Sequence, residues 1–129
     1  MRRRLATAVV AGMTLFVTLI GGPAAAEPDP PGCPKGSFCI YPDVDQRGAP
    51  EVASEVDWEE PVGFSPISAS SVFNNGRPLP GADHIQLEWI SAYGQRLSTC
   101  FHYNPGPGRY KTNFAPGTTF LSAVWRGEC

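Results

Sequence analysis

From His84 to Ile90 apolar and polar side chains alternate without a break. Ile85, Leu87 and Trp89 fall on one side of an extended chain, and His84, Gln86 and Glu88 on the other. A period of two marks a strand with one covered face. The pattern predicts an antiparallel strand here, with His84 turned to solvent. Leu97–Tyr103 repeats it, with Phe101 and Tyr103 opposite Cys100 and His102, which places His102 on an outer face too. In 118–125, Thr118, Phe120, Ser122 and Val124 oppose Thr119, Leu121, Ala123 and Trp125.

Shorter pieces read the same way. Phe38-Cys39-Ile40-Tyr41 predicts a strand ended by Pro42-Asp43, and Pro50–Ser54 a short return strand. Pro50 stands at the start of that strand, where a missing N–H does no harm. In Ser70-Ser71-Val72-Phe73-Asn74-Asn75-Gly76 the two β-formers precede Asn75-Gly76, a turn signal because both residues tolerate positive φ. Residues 43–48 and 92–95 read as turns. Residues 51–60 have some helical spacing, but Trp58 is their one aromatic residue, so no stable helix is expected. Two stiff loops remain, 74–83 with Pro78 and Pro80, and 104–108 with Pro105 and Pro107. Short strands, frequent turn signals and 14 Gly with 14 Pro point to an all-β sandwich or barrel.

The chain begins differently. Arg2-Arg3-Arg4 precedes an apolar run from Leu5 to Ile20, then Gly21-Gly22-Pro23 and Ala24-Ala25-Ala26. That order is a secretory signal peptide, with cleavage expected after Ala26. The run is short for a membrane span, which needs about 20 apolar residues, so no stable anchor is expected after cleavage. Residues 27–32, Glu-Pro-Asp-Pro-Pro-Gly, read as an extended leader uninvolved in the core. One domain is expected over 33–129, secreted and monomeric.

Cleavage changes the charge. The whole chain has 10 Lys/Arg and 12 Asp/Glu; without the three leading arginines the balance is 7 against 12, a net of −5. No nucleic-acid partner is expected from so acidic a chain. Cys33, Cys39, Cys100 and Cys129 all survive cleavage, an even count that predicts two disulfides in three possible connectivities. Cys33–Cys39 and Cys100–Cys129 is the expected pairing, a local clamp and a tie from the last residue to an interior strand. The spacings are poor templates for zinc.

Catalytic chemistry is sparse. The two histidines, His84 and His102, form no His-Glu-x-x-His pattern, and neither a Gly-x-Ser-x-Gly elbow nor a phosphate-binding loop occurs. Asp43 with Asp45, or Glu59 with Glu60, are carboxylate pairs without evidence of opposed placement. We expect no enzyme, no catalytic residue, no metal and no cofactor. A disulfide-stapled β-scaffold with stiffened loops suits binding, because ordering a loop in advance lowers the entropic cost of association. Arg77, Pro78, Leu79 and Pro80, with Arg109 and Tyr110, are the candidate contact residues. The alternative is that these prolines only terminate strands.

Cys33-Pro34-Lys35-Gly36-Ser37-Phe38-Cys39-Ile40-Tyr41 resembles the Cys-Pro-x-Gly-x-x-Cys-x-Tyr signature of secreted actinobacterial peptidase inhibitors, the metalloproteinase-inhibitor family with a βγ-crystallin-like fold. Ser70-Ser71-Val72-Phe73-Asn74-Asn75-Gly76 resembles that family's Ser-Ser-Val-x-Asn-Asn segment, and 100–129 its second half more loosely. The resemblance implies a small sandwich of two Greek keys, secretion, and inhibition of metalloproteinases by some members; the expected function is non-covalent occlusion of an extracellular metalloproteinase by a stiff loop. It also raises calcium, which such folds bind through oxygen-bearing residues ahead of paired hydroxyls. Pro66 and Ile67 stand at those places and bring no side-chain oxygen, so weak calcium binding or none is expected, with Asp43 and Asp45 as contributors to a degenerate site at most. Two alternatives on the same fold are an antimicrobial or killer-toxin-like protein, and a non-inhibitory structural or calcium-binding module. The net acidity disfavours the first on an anionic membrane.

Overall fold

A computed structural model describes residues 21–22, 25–60 and 70–129. Most of the expected signal peptide, and Pro66 and Ile67 of the calcium reading, lie outside the described residues. The rest is all-β: β1 (Phe38–Tyr41), β2 (Val52–Ser54), β3 (Trp58–Glu59), β4 (Ser71–Asn74), β5 (His84–Ile90), β6 (Arg96–Phe101), β7 (Lys111–Asn113) and β8 (Thr119–Arg126), with one 3-10 turn at Val44–Gln46.

The strands form two four-stranded sheets, in the orders β2-β1-β4-β7 and β3-β8-β5-β6, with every pairing antiparallel. Read from its other edge, the second order is β6-β5-β8-β3, which repeats the first with the chain halves exchanged. Each half builds three strands of one sheet and lends its third strand to the other. The lent strands, β3 and β7, have two and three residues and carry no periodicity that predicts them.

The sheets share one core. Phe38, Ile40, Val52 and Val72 of the first sheet meet Ile85, Leu87, Phe101, Phe120 and Ala123 of the second. The expected phase of the last strand is broken: Glu88 pairs with Ser122 but Trp89 with Phe120, so Leu121 is a bulge. The extra residue lets Phe120 and Ala123, on opposite faces by simple alternation, both enter the core.

All four residues of β1 and of β4 are buried. The outer face of the first sheet is covered as well, by a cluster of Cys33, Cys39, Tyr41 and Phe73 with Tyr110 packed against it. The leader helps to build that cover, contrary to expectation. Tyr41 Oη donates to Pro31 O at 2.9 Å, and burial pushes this phenol up to about 12. Asn75 Nδ2 donates to Asp29 Oδ1 at 2.8 Å and to Cys33 O at 2.9 Å. Glu27 exchanges two hydrogen bonds with the Asn104 side chain, at 2.9 and 2.8 Å. Its carboxylate takes Tyr110 Oη at 2.7 Å and Lys111 Nζ at 2.6 and 2.7 Å. The proline spacing predicts a stiff leader but not these partners, which lie far along the chain.

The disulfides are Cys33–Cys39 and Cys100–Cys129, as expected, and no cysteine is free among the described residues. Two bridges are consistent with an extracellular protein. Ser71 ties the 3-10 turn down: its Oγ donates to Asp43 O at 2.6 Å and accepts from Gln46 N at 3.0 Å. Asp45 is paired with Asn113, donating from its backbone N–H and accepting at its carboxylate.

Candidate functional site

The expected turn at Asn75-Gly76 does not form. Neither residue adopts positive φ, and the first left-handed glycine after β4 is Gly81 at φ 89°. Gly76 is needed for space instead. A Cβ there would lie 3.0 Å from Trp125 Cζ3 and 3.1 Å from Asp83 O. Asn74 is fully buried on the inner face and fastens the loop's base. Its Nδ2 donates to Asp83 O at 3.1 Å and Phe101 O at 3.4 Å, and its Oδ1 accepts from Gly76 N at 3.0 Å.

From that base Arg77–Ala82 projects as an exposed loop. Asp83 braces it: the buried carboxylate accepts Leu79 N–H through Oδ2 at 2.9 Å, and Ala82 N–H donates to Leu79 O at 2.9 Å. The backbone of Leu79 is thus held on both sides while its side chain is 57 % exposed. Beside the loop lies an open groove of ≈ 470 Å³, lined by Arg77, Leu79 and Ala82 together with Val56, Asp57 and Trp125. Val56 is 71 % exposed, so two of the four exposed large hydrophobics among the described residues flank this one groove. Asp57 secures the opposite wall by accepting Trp125 N–H at 2.8 Å.

The six predicted contact residues do not act together. Arg77 and Leu79 line the groove, and Pro78 and Pro80 stiffen the loop. Tyr110 is turned away: its ring packs edge-on against Phe73 at 5.5 Å, and its hydroxyl donates to Glu27. That hydrogen bond, with burial, raises its pKa above the ordinary tyrosine value. Arg109 is exposed, and its carbonyl accepts His102 N–H. Tyr110 is therefore a packing residue of the outer cluster. Val56 and Trp125 belong to the groove and were not predicted. The signal for Val56 was an apolar residue between Glu55 and Asp57, in an acidic stretch with no apolar neighbour to pack on.

The expectation of exposed strand histidines fails for His84. It is 1 % exposed, and His102 is half-buried. The end of β5 is covered by Asp83, just before the strand, and by His102, which follows β6 at Phe101 although the pattern places it within that strand. Asp83 Oδ1 lies 2.6 Å from His84 Nδ1, and His102 Nδ1 lies 2.8 Å from His84 Nε2. Asp83 thus holds the loop with one oxygen and a histidine pair with the other.

No family model, no curated protein and no solved structure matches this chain.

Proposed function

We propose that the protein is a secreted inhibitor of extracellular metalloproteinases that occludes its target non-covalently with the Arg77–Ala82 loop. The observation that carries this reading is Leu79, an exposed apolar side chain on a backbone clamped at both its N–H and its C=O. An inhibitor loop has to enter a protease cleft without losing much entropy, and it has to hold its shape there. Pro78 and Pro80 fix φ on either side of Leu79. The Leu79–Pro80 peptide has no N–H, and the hydrogen bonds of Leu79 and Ala82 hold the chain on both sides of it. The groove of Val56 and Trp125 beside the loop gives a target a second apolar surface. The strand orders support a pair of interlocked Greek keys, since in each half the fourth strand returns beside the first. That arrangement suits the βγ-crystallin-like sandwich that the sequence motifs resemble.

Titrating the oxidised protein against a panel of metalloproteinases, thermolysin-type enzymes included, tests this. Stoichiometric, saturable inhibition is expected. Leu79 is 57 % exposed, so only that part of its side chain is newly covered; Leu79→Ala removes about 1–1.5 kcal/mol of apolar burial and weakens inhibition roughly fivefold to tenfold. Tyr93→Ala, in the Ser91–Gln95 turn at the far end of β5, leaves inhibition unchanged. No inhibition across the panel at stoichiometric excess would sink the proposal.

A further inference from the structure

The geometry around His84 points to a binding site for a divalent transition-metal ion of the zinc–copper class, held by His84 Nε2, His102 Nδ1 and the Glu128 carboxylate. Three features carry this. His84 presents one ring nitrogen, Nδ1, to Asp83 Oδ1 at 2.6 Å. A metal-binding imidazole is oriented in this way by a carboxylate on its second nitrogen, which leaves the other lone pair for the ion. That other nitrogen, Nε2, faces His102 Nδ1 at 2.8 Å and Glu128 Oε2 at 3.5 Å. Ligand atoms about 2.0–2.1 Å from one ion stand roughly 2.9–3.6 Å apart, depending on the coordination angle. The histidine pair is therefore close to what a shared ion needs, while Glu128 lies beside His84 and Asp83 but not beside His102, so its side chain has to turn toward His102 to join them.

The second feature is how His102 is aimed. A Cβ at Gly108 would fall 1.6 Å from His102 Cδ2 and 2.2 Å from Nε2. The far edge of the ring rests in the space a side chain would fill, so Nδ1 is the nitrogen turned to His84. The third is access. The Glu128 side chain is 83 % exposed, which leaves an open side for the ion to enter and for water to complete its coordination. The neighbouring Cys129 is tied to Cys100, and its sulfur lies within 4.8 Å of the histidine nitrogens. The bridge therefore keeps Glu128 near His84, and rotation of this exposed side chain toward His102 would complete the set. With the sulfur in a disulfide, the donors are two imidazoles and a carboxylate. That set suits zinc and copper better than calcium, which takes oxygen ligands. As the ion enters, the proton shared between His84 Nε2 and His102 Nδ1 leaves to solvent or moves to His102 Nε2.

Calorimetric titration of the oxidised protein near pH 7.5, with Zn²⁺ and with Cu²⁺ separately, tests the site. One ion per chain is expected for each, with Cu²⁺ held more tightly. His102→Ala and Glu128→Gln should each weaken binding by about tenfold or more. Glu128→Gln changes only an exposed side chain and keeps the test independent of folding. The electron paramagnetic resonance spectrum of the Cu²⁺ complex should show two coordinated nitrogens, reduced to one in His102→Ala. Failure to reach one-to-one saturation by about 1 mM of either ion would overturn the proposal. So would affinity and nitrogen splitting unchanged in both variants. None of these readouts involves a protease, so the metal site and the inhibitory reading stand or fall separately.

Discussion

Asn74→Ala is the sharpest test of how the two sheets are joined. Asn74 ends β4 in one sheet, and its side-chain amide bonds to Asp83 O, just before β5, and to Phe101 O, the last residue of β6, both of the other sheet. Its oxygen also holds Gly76 N–H, the first step of the exposed loop. Alanine leaves these groups buried without that partner. An unsatisfied buried group costs about 1–3 kcal/mol. The bonds at 3.0 and 3.1 Å carry most of this, and the one at 3.4 Å adds little. The expected loss is about 3–5 kcal/mol, a fifth or more of the roughly 5–15 kcal/mol of an ordinary domain. Urea unfolding of the oxidised protein, followed by tryptophan fluorescence, measures it. With a slope of about 1.5 kcal/mol per molar, the midpoint should fall by roughly 2–3 M. Asn74→Asp separates hydrogen bonding from volume. The ionised carboxylate would face two carbonyl oxygens with no proton to donate, so burial and those oxygens raise its pKa in the native state. Its stability is therefore highest at acid pH and falls as pH rises through that raised value. A loss below about 1 kcal/mol in Asn74→Ala, or an Asn74→Asp variant insensitive to pH, would refute the strap.

The other predictions concern the leader and the long staple. Glu27 has its pKa lowered from 4.5 first by the hydrogen bond from Lys111. Its contribution is therefore present above about pH 4.5 and disappears as pH falls through the lowered native value. The pair is partly exposed, so Glu27→Gln should cost only about 0.5–1 kcal/mol at pH 7. Thermal melts from pH 7 to pH 3 should show that gap closing with acid, and a gap that widens would be inconsistent with the ion pair. Replacing Cys100 and Cys129 together by alanine opens a loop with a sequence separation of 29 and should cost about 3–4 kcal/mol in the same urea assay. A cost under about 1 kcal/mol would mean that the unfolded chain gains little freedom from the missing bridge.

What the sequence determines by itself is local. Alternation over His84–Ile90 predicts β5 residue for residue, Phe38–Tyr41 predicts β1 likewise, and proline and glycine mark the connections. Only the Cys33–Cys39 clamp, six residues apart, is local in this sense; Cys100 and Cys129, 29 apart, are brought together by the fold. The loop carrying Leu79 is legible too, because two prolines around one apolar residue stiffen a loop wherever it lies. Tertiary structure decides everything that depends on a partner distant in the chain. The exchange of β3 and β7 between the sheets rests on strands too short to have a period. The bulge at Leu121 shifts the phase of β8 only because β5 lies beside it. His84 reads as solvent-facing by alternation, yet Asp83 and His102 cover the end of its strand. Glu27 and Asp29 read as a polar leader until Asn75, Asn104 and Lys111 are placed beside them. The groove joins Val56, Leu79 and Trp125 from three separate segments. Periodicity reports which side of a strand a residue takes, but burial depends on what covers that side, and only the folded chain supplies the cover.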